Sequence, residues 1–129
     1  MLVVLDSTAL IDYLRGRPAV ARVRRLKSQG DTPATTAINV EEIVRGLREA
    51  EVNAARRLFR GLVILPIDEV VAWQAGFWRR LFTDQGVTLF QADCLIAAAV
   101  HRHRGVLCTG NPKDFPMSEV TVQHWPVGA

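Results

Sequence analysis

The chain has 129 residues and a mass of 14.3 kDa, and its 16 Lys and Arg against 13 Asp and Glu give a formal net charge of +3. Hydrophobic residues make up 49% of the sequence, which suffices for one compact core and excludes a disordered, collagen-like or low-complexity chain. The longest apolar run, Cys94 to Val100, is too short to cross a bilayer. We therefore expect a single domain over residues 1–129.

The N-terminus and the two cysteines indicate the cellular location of the protein. Asp6 follows Met-Leu-Val-Val-Leu directly, so the basic segment and cleavage site of a secretory leader are not expected. Cys94 and Cys108 lie in apolar stretches, which favours buried and reduced thiols over a disulfide. These features predict a cytoplasmic protein.

The N-terminal segment alternates between strand and helix signals. Leu2 to Leu5 predicts a buried strand, and Asp6-Ser7-Thr8 suits the start of a helix. Gly16-Arg17-Pro18 ends that helix, and a second one is expected over residues 19–28. Arg15 to Lys27 contains six basic and no acidic residues. That run fits equally a solvated helix face and a surface that binds a polyanion.

The middle of the chain predicts two more strands and two helices. A second strand is expected over residues 34–37. Asn39 and Glu42 then match a capping box, so that a helix begins at Asn39, continues to about residue 48 and gives Glu42 a structural role. Another helix is expected over residues 52–60. A third strand follows over 62–67, where Pro66 restricts its end to a sheet edge or exit.

Apolar residues recur at helical spacing from Val71 to Phe82 and predict an amphipathic helix over residues 68–83. Its aromatic residues Trp73, Phe77 and Trp78 fit either the core or an interface.

The last third predicts a buried helix over residues 91–104 and strands over 106–109 and 120–123, with a turn at Gly110-Asn111-Pro112. Short strands that alternate with helices are typical of an α/β fold. We expect a mainly parallel sheet of four or five strands with helices on both faces.

Four acidic residues occupy informative positions, since the working crevice of a parallel sheet lies at the carboxyl ends of its strands. Asp6 follows the first strand, and Asp114 follows the fourth. Asp93 opens the most apolar helix. Each acid also has a structural interpretation: helix capping for Asp6 and Glu42, a favourable helix dipole for Asp93 and a turn for Asp114.

If these carboxylates meet, they need a cation. Two carboxylates about 4 Å apart repel by about 4 kcal/mol at an effective dielectric constant of about 20. Oxygen ligands with room for water and phosphate suit Mg²⁺ or Mn²⁺ rather than zinc. His101, His103 and His124 lack a metal-ligand spacing and are expected at the surface. The sequence also lacks a nucleophile-elbow serine, a Walker A loop and a dinucleotide-binding glycine motif.

Four short segments, spread over nearly the whole chain, carry a specific pattern. They are Leu2-Val3-Val4-Leu5-Asp6-Ser7-Thr8, Glu42-Ile43-Val44-Arg45-Gly46, Asp93-Cys94-Leu95-Ile96-Ala97-Ala98 and Thr109-Gly110-Asn111-Pro112-Lys113-Asp114-Phe115, with Val122-Gln123-His124-Trp125 near the end. In this order they resemble the PIN-domain family, and in particular the VapC toxins of bacterial toxin–antitoxin pairs. The resemblance implies one PIN domain with endoribonuclease activity.

The resemblance also implies roles for individual residues. The acids that would bind Mg²⁺ or Mn²⁺ are Asp6, Glu42 and Asp93, and those that would carry catalysis are Asp6, Glu42, Asp93 and Asp114. Thr8 and Thr109 would support the carboxylates. Many PIN domains read T-x-D where this chain has Thr109-Gly110-Asn111, so that either Asn111 or Asp114 would face the metal.

The basic run and the partners follow from the same resemblance. As a hypothesis, the residues that hold the RNA backbone are Arg15, Arg17, Arg22, Arg24 and Arg25. The family implies a homodimer and a hetero-oligomer with a VapB-like antitoxin, whose C-terminal segment lies over the acidic groove. An antitoxin arginine there would compete with the metal.

Two other functions remain open at this point. One is a PIN-like module that binds RNA or a partner without cleaving, since Asn111 departs from the common pattern. The other is a receiver-type phosphoacceptor domain. That fold needs adjacent acids after the first strand, whereas Ser7 follows Asp6, and it needs an acceptor Asp that the third strand does not supply.

Overall fold

The computed structural model describes residues 1–128 and shows a five-stranded sheet between two layers of helices. The strands are β1 Leu2–Leu5, β2 Thr32–Thr36, β3 Val63–Leu65, β4 Val106–Thr109 and β5 Thr121–His124. The helices are α1 Ser7–Leu14, α2 Ala19–Ser28, α3 Ala37–Arg45, α4 Val52–Arg60, α5 Glu69–Asp84 and α6 Gln91–Arg102, and 3-10 turns lie at Glu49–Glu51 and Pro112–Asp114. The predicted α/β class with a parallel sheet is confirmed.

The strand order is β3-β2-β1-β4-β5, and every neighbouring pair is parallel. The central strand is β1, where Val4 pairs with Ala34 of β2 on one side and with Leu107 of β4 on the other. The chain moves outward from β1 first in one direction and then in the other. The boundary between β1 and β4 is therefore the topological switch point, where the crevice of such a sheet forms at the carboxyl ends of the strands.

Both faces of the sheet are covered. Val4 and Leu107 pack with Ile96 and other residues of α5 and α6 on one face. Leu5 and Cys108 pack with residues of α1, α2 and α4 on the other. Burial on both sides explains why the central strands are apolar without alternation. Both cysteines are buried and free, as predicted.

The start of α3 differs from the prediction. Thr36, the last residue of β2, is the N-cap: its hydroxyl accepts a hydrogen bond from the Asn39 backbone N–H at 3.3 Å, and Asn39 Oδ1 accepts one from the Thr36 N–H at 3.4 Å. The predicted capping box of Asn39 and Glu42 is therefore wrong, because the hydroxyl at the end of β2 starts the helix three residues earlier. Glu42 lies within the helix and is free of a capping role.

The remaining differences are at element ends and on α5. Helix α6 ends at Arg102, and Arg104 adopts a left-handed conformation with φ 56° before β4. Trp78 is buried, whereas Trp73 and Phe77 are exposed. The three histidines are exposed, as expected. Within residues 1–128, no helix has the length and apolarity needed to cross a membrane.

Candidate active site

The carboxyl edge of the sheet at the switch point gathers the predicted acidic residues. Asp6 comes directly after β1, and Thr109 is the last residue of the adjacent β4. Glu42 extends from α3, and Asp93 lies in the first turn of α6. Two strands and two helices thus each contribute one polar side chain.

The Asp6 carboxylate is held from both sides. Its Oδ1 accepts a hydrogen bond from Asn39 Nδ2 at 3.0 Å, and its Oδ2 accepts one from the Thr109 hydroxyl at 2.7 Å. Asp6 occupies the N-cap position of α1, but its side chain makes no capping hydrogen bond. The capping interpretation therefore does not account for this carboxylate, which is only 8% exposed and fixed in orientation.

Glu42 is connected to Asp6 through Ser7 and Asn39. The Ser7 hydroxyl donates to Glu42 Oε1 at 2.9 Å and accepts from Asn39 Nδ2 at 3.0 Å. Asn39 thereby donates to both Asp6 and Ser7 from one amide nitrogen, while its Oδ1 accepts from the hydroxyl of Thr36 at 2.8 Å. One fully buried amide sets the relative position of the two carboxylates.

Asn39 and Ser7 are site residues that the sequence analysis missed. Asn39 was assigned only to a helix cap, and Ser7 only to the start of a helix and to the N-terminal motif. The available signal was the spacing of Asn39 and Glu42, because residues three apart lie on the same side of a helix.

The pKa of Asp93 depends on the other three acids. Partial burial, and after it the negative charges of Asp114, Asp6 and Glu42, together raise the pKa of its carboxyl to about 6. Asp114, Asp6 and Glu42 are thus close enough to act on Asp93. No positive group is among the causes of the shift at Asp93.

This donor set fits a hard divalent cation, because it consists of carboxylate oxygens that repel one another. Each Asp6 oxygen accepts one hydrogen bond and keeps a second lone pair for an ion. Within the described part of the chain, however, no three Asp, Glu, His or Cys side chains stand close enough to hold a metal as they are. Three of these carboxylates would therefore have to approach one another to hold an ion.

The loop after β4 closes this edge. The Thr109 hydroxyl donates to Asp6 and accepts from the Asn111 N–H at 3.1 Å, and the Thr8 hydroxyl accepts from the Gly110 N–H at 2.8 Å. Thr109 thus contacts a carboxylate directly, whereas Thr8 holds the loop. A Cβ atom on Gly110 would lie 2.6 Å from Cγ2 of Val127, so only glycine fits there without a shift.

The same loop carries the two alternatives for the fourth site position. Asn111 is exposed, and its backbone rather than its side chain makes the recorded hydrogen bond. Asp114 is half-buried in the 3-10 turn, and among the neighbouring charges that raise the pKa of Asp93 its effect is the largest.

Comparison with known proteins agrees with this architecture. A family model described as PIN domain matches residues 3–116. The chain belongs to the PIN-domain family. Ribonuclease VapC10 of Mycobacterium tuberculosis is 33% identical over 119 residues, which are 92% of this chain and 89% of the relative. Ribonuclease VapC19 of the same organism is 30% identical over 115 residues, or 88% of this chain and 92% of the relative. The solved VapBC-1 structure from nontypeable Haemophilus influenzae has a TM-score of 0.82 at 25% identity and covers 97% of this chain and 98% of that chain.

The basic residues of this PIN domain do not form one uniform stripe. Arg17 pairs with the buried Asp12 at 3.1 Å, and the same carboxylate accepts a hydrogen bond from the Gly128 N–H at 2.7 Å. Asp12 therefore ties α1 to the C-terminal segment, and Arg17 neutralises this carboxylate. The Arg22 guanidinium lies 5.6 Å from the ring centroid of Trp125, at cation–π distance.

The other three arginines are more available. Arg24 and Arg25 are exposed on α2. Arg15, also exposed, lines a cavity of about 150 Å³ together with Glu42. The PIN domain thus has one basic side chain beside the acidic edge and others farther along α2.

The two cysteines of the PIN domain are poor candidates for chemistry. Burial raises the pKa of the Cys108 thiol to about 12 and also raises that of Cys94. Near neutral pH neither residue supplies a thiolate, which is the reactive form of cysteine.

Proposed function

We propose that the chain is a divalent-metal-dependent endoribonuclease of the VapC toxin type, which acts in the cytoplasm and is neutralised by a VapB-like antitoxin. The observation that carries this proposal is the arrangement of acids at the switch point, where Asn39, Ser7 and Thr109 hold Asp6 and Glu42 by hydrogen bonds. The ribonuclease names of the relatives, at 33% and 30% identity over most of the chain, support the substrate class.

Asp6, Glu42 and Asp93 would hold the Mg²⁺ or Mn²⁺ ion, with Asp114 nearby as the fourth acid in preference to the exposed Asn111. A bound ion of this kind lowers the pKa of a coordinated water and offsets negative charge on the scissile phosphate. Burial raises the Asp93 pKa most and the neighbouring negative charges raise it further, and a cation would offset that repulsion.

The protein's own groups supply orientation and proton transfer. Asn39 and Thr109 hold the Asp6 oxygens in place, and Ser7 holds Glu42 Oε1. A preorganised carboxylate loses less freedom when substrate binds. One of these carboxylates would accept the proton of the attacking water as a general base.

The RNA backbone would be bound by the basic side chains around this edge. Arg15 is suited to the phosphate next to the scissile bond because it shares a cavity with Glu42. Arg24 and Arg25 extend the contact along α2, and Arg22 contributes while packed on Trp125. Arg17 is the least suited of the five, because the buried Asp12 already neutralises it.

The antitoxin would occupy the same edge. An acidic crevice attracts a cationic segment, and an arginine can bind a carboxylate through two parallel hydrogen bonds. A partner arginine would therefore displace the metal by occupying its ligands. The similarity to VapBC-1 supports a partner of this kind.

End-labelled RNA tests the activity directly. The purified chain is incubated with Mg²⁺, with Mn²⁺ or with EDTA, beside the variants Asp6→Asn, Asp93→Asn and Glu42→Gln. Glu41→Gln is a matched control, because Glu41 is the exposed neighbour of Glu42 and pairs only with Arg45 at 3.4 Å on the surface. We expect cleavage that requires a metal, is lost in the three site variants and persists in Glu41→Gln.

Two results would contradict the proposal. Equal cleavage by all samples, including those in EDTA, indicates a contaminating nuclease. RNA binding without cleavage, unchanged by EDTA and by Asp6→Asn, indicates the non-catalytic binding module instead.

A further inference from the structure

A small basic pocket lies where helix α2 meets the carboxyl end of β5. Its volume is about 270 Å³, and the residues that line it are Arg22, Arg25, Leu26, His124 and Trp125. The lining thus combines two arginines, a histidine and an indole ring, and it includes no acidic side chain. This composition suits a ligand that carries both negative charge and a flat π face, as a nucleotide does.

The strand register gives the distance from this basic pocket to the acids. Thr109 pairs with His124 between β4 and β5, and Leu5 pairs with Cys108 between β1 and β4. Asp6 follows Leu5, so its backbone is level with Thr109 and His124. Because neighbouring strands are about 4.8 Å apart, about 10 Å separate the backbones at Asp6 and His124. A nucleotide in the pocket therefore lies close to a phosphate held over Asp6.

The aromatic wall of the pocket is attached to the same edge of the sheet. Trp125 directly follows β5, and its backbone N–H donates a hydrogen bond to the Thr109 carbonyl at 2.8 Å. The indole ring is half-buried and packs against the core on the side of α1, α2 and α4. The Thr109 hydroxyl donates to Asp6. One residue of β4 thus holds both the carboxylate and the tryptophan backbone, which fixes their separation.

The Arg22 guanidinium lies over this indole ring instead of against an acid. Its central carbon is 5.6 Å from the Trp125 ring centroid, within the range of a cation–π contact. In the part of the chain that the structure describes, Arg22 makes no salt bridge, whereas Arg17 pairs with Asp12. A guanidinium supported by a ring offers a flat surface on which a base can stack, while its N–H groups stay free for a phosphate.

We propose that Arg22 and Trp125 form a stacking platform for one unpaired RNA base next to the scissile bond. This inference rests on the proposed function, because it takes RNA as the substrate. Such a platform accepts any base, since every base has a π face, but it requires a base that is free to leave a duplex. Arg25, on the wall of the same pocket, binds the phosphate of that nucleotide. The platform therefore selects single-stranded segments of RNA.

Arg22→Lys separates stacking from charge, because lysine keeps the positive charge and lacks the planar guanidinium. Fluorescence anisotropy in EDTA measures the binding of two labelled probes with equal numbers of phosphates. One is a short single-stranded oligoadenylate, and the other is an oligomer of the same length with abasic riboses. We expect Arg22→Lys to weaken oligoadenylate binding by about fivefold and to leave the abasic probe and the salt dependence unchanged. Arg24→Lys, at an exposed position of the same helix, is the matched control and changes neither.

A second pair of variants tests the ring. Trp125→Phe keeps an aromatic face, whereas Trp125→Leu removes it, and thermal unfolding checks that both variants fold. We expect Trp125→Leu to weaken oligoadenylate binding by about tenfold and Trp125→Phe to retain most of the affinity.

Two results would overturn the stacking platform. One is an Arg22→Lys variant that binds oligoadenylate as tightly as the wild type. The other is an equal loss for the oligoadenylate and the abasic probe, which would make Arg22 a phosphate ligand only. Cleavage by the wild type separates these failures from failure of the proposed function. If the wild type cleaves RNA while Arg22→Lys binds both probes normally, the platform alone is refuted. A base-dependent loss in a chain that cleaves no RNA supports the platform and refutes the ribonuclease.

Discussion

Asn39 Nδ2 donates a hydrogen bond to Asp6 Oδ1 at 3.0 Å and joins α3 to the end of β1. The same nitrogen contacts the Ser7 hydroxyl, which in turn holds Glu42. One amide therefore orients two carboxylates that are 36 positions apart in the sequence. This arrangement makes the geometry of the acidic edge dependent on a neutral residue that has no direct part in the proposed chemistry.

Replacing Asn39 tests that dependence. We expect Asn39→Ala to lower the unfolding free energy by about 1–3 kcal/mol, because it leaves buried polar groups at Asp6 and Thr36 without a partner. We also expect kcat to fall by about 10- to 100-fold with a smaller change in KM, because the carboxylates lose their alignment. Urea unfolding and RNA cleavage kinetics measure the two effects. Asn53→Ala, at an exposed position on α4, should change neither.

Asp93 makes stability depend on pH in the absence of metal. Its pKa in the folded protein is about 6, against an ordinary value of 3.8, so the native state binds this proton more tightly than the unfolded state does. Stability from this group is therefore present below pH 4 and is lost as the pH rises from about 4 to about 6.

Asp93→Asn should remove that loss. We expect the variant to be more stable than the wild type by about 1 kcal/mol at pH 7 in EDTA, a modest gain because the group is only half-buried. Near pH 3.5 this group should cause no difference between the unfolding free energies of the two proteins. Urea unfolding across this range is the measurement, and a wild type that gains stability relative to Asp93→Asn between pH 4 and 6 would contradict the assignment.

Gly110 and Val127 form a contact that a double variant can isolate. Gly110→Ala places a methyl group 2.6 Å from Val127 Cγ2, and we expect it to cost about 1 kcal/mol of stability because the C-terminal segment must move. Val127→Ala removes that methyl. The double variant should therefore be more stable than the sum of the two single effects predicts. Additive effects in denaturant unfolding would show that the clash is relieved elsewhere.

The basic residues of α2 are tested by salt dependence. Neutralising Arg22, Arg24 and Arg25 together to Gln should weaken RNA binding and reduce the slope of log K against log salt by about 2, since each phosphate contact to a single strand contributes about 0.7. Fluorescence anisotropy with a labelled RNA at several salt concentrations measures the slope. An unchanged slope would show that these side chains do not contact phosphates.

The single variant Arg17→Gln is compared with that triple variant. Because Arg17 pairs with the buried Asp12, we expect Arg17→Gln to reduce the free energy of unfolding. The dependence of RNA binding on salt should stay nearly unchanged. A reduced slope with unchanged stability would instead place Arg17 on the RNA.

The sequence by itself determined the alternation of strands and helices, the parallel sheet and the acids at its edge. These signals are local: apolar runs such as Leu2–Leu5, helical spacing such as Val71 to Phe82, and breaks such as Gly16-Arg17-Pro18 depend on near neighbours. Four short motifs in order also sufficed to indicate the family. Even so, the start of α3 was misplaced, because the spacing of Asn39 and Glu42 matched a capping box, whereas Thr36 at the end of β2 caps the helix.

Only the tertiary structure decided which side chains meet. The contacts of Asp6 with Asn39 and Thr109 span 33 and 103 residues, and they exist because β1 lies between β2 and β4. The exposure of Trp73 and Phe77 was also undecided, since helical spacing identifies the buried face but not whether a second layer covers the opposite one. Contacts between distant residues depend on how the whole sheet assembles, and no local pattern carries that information.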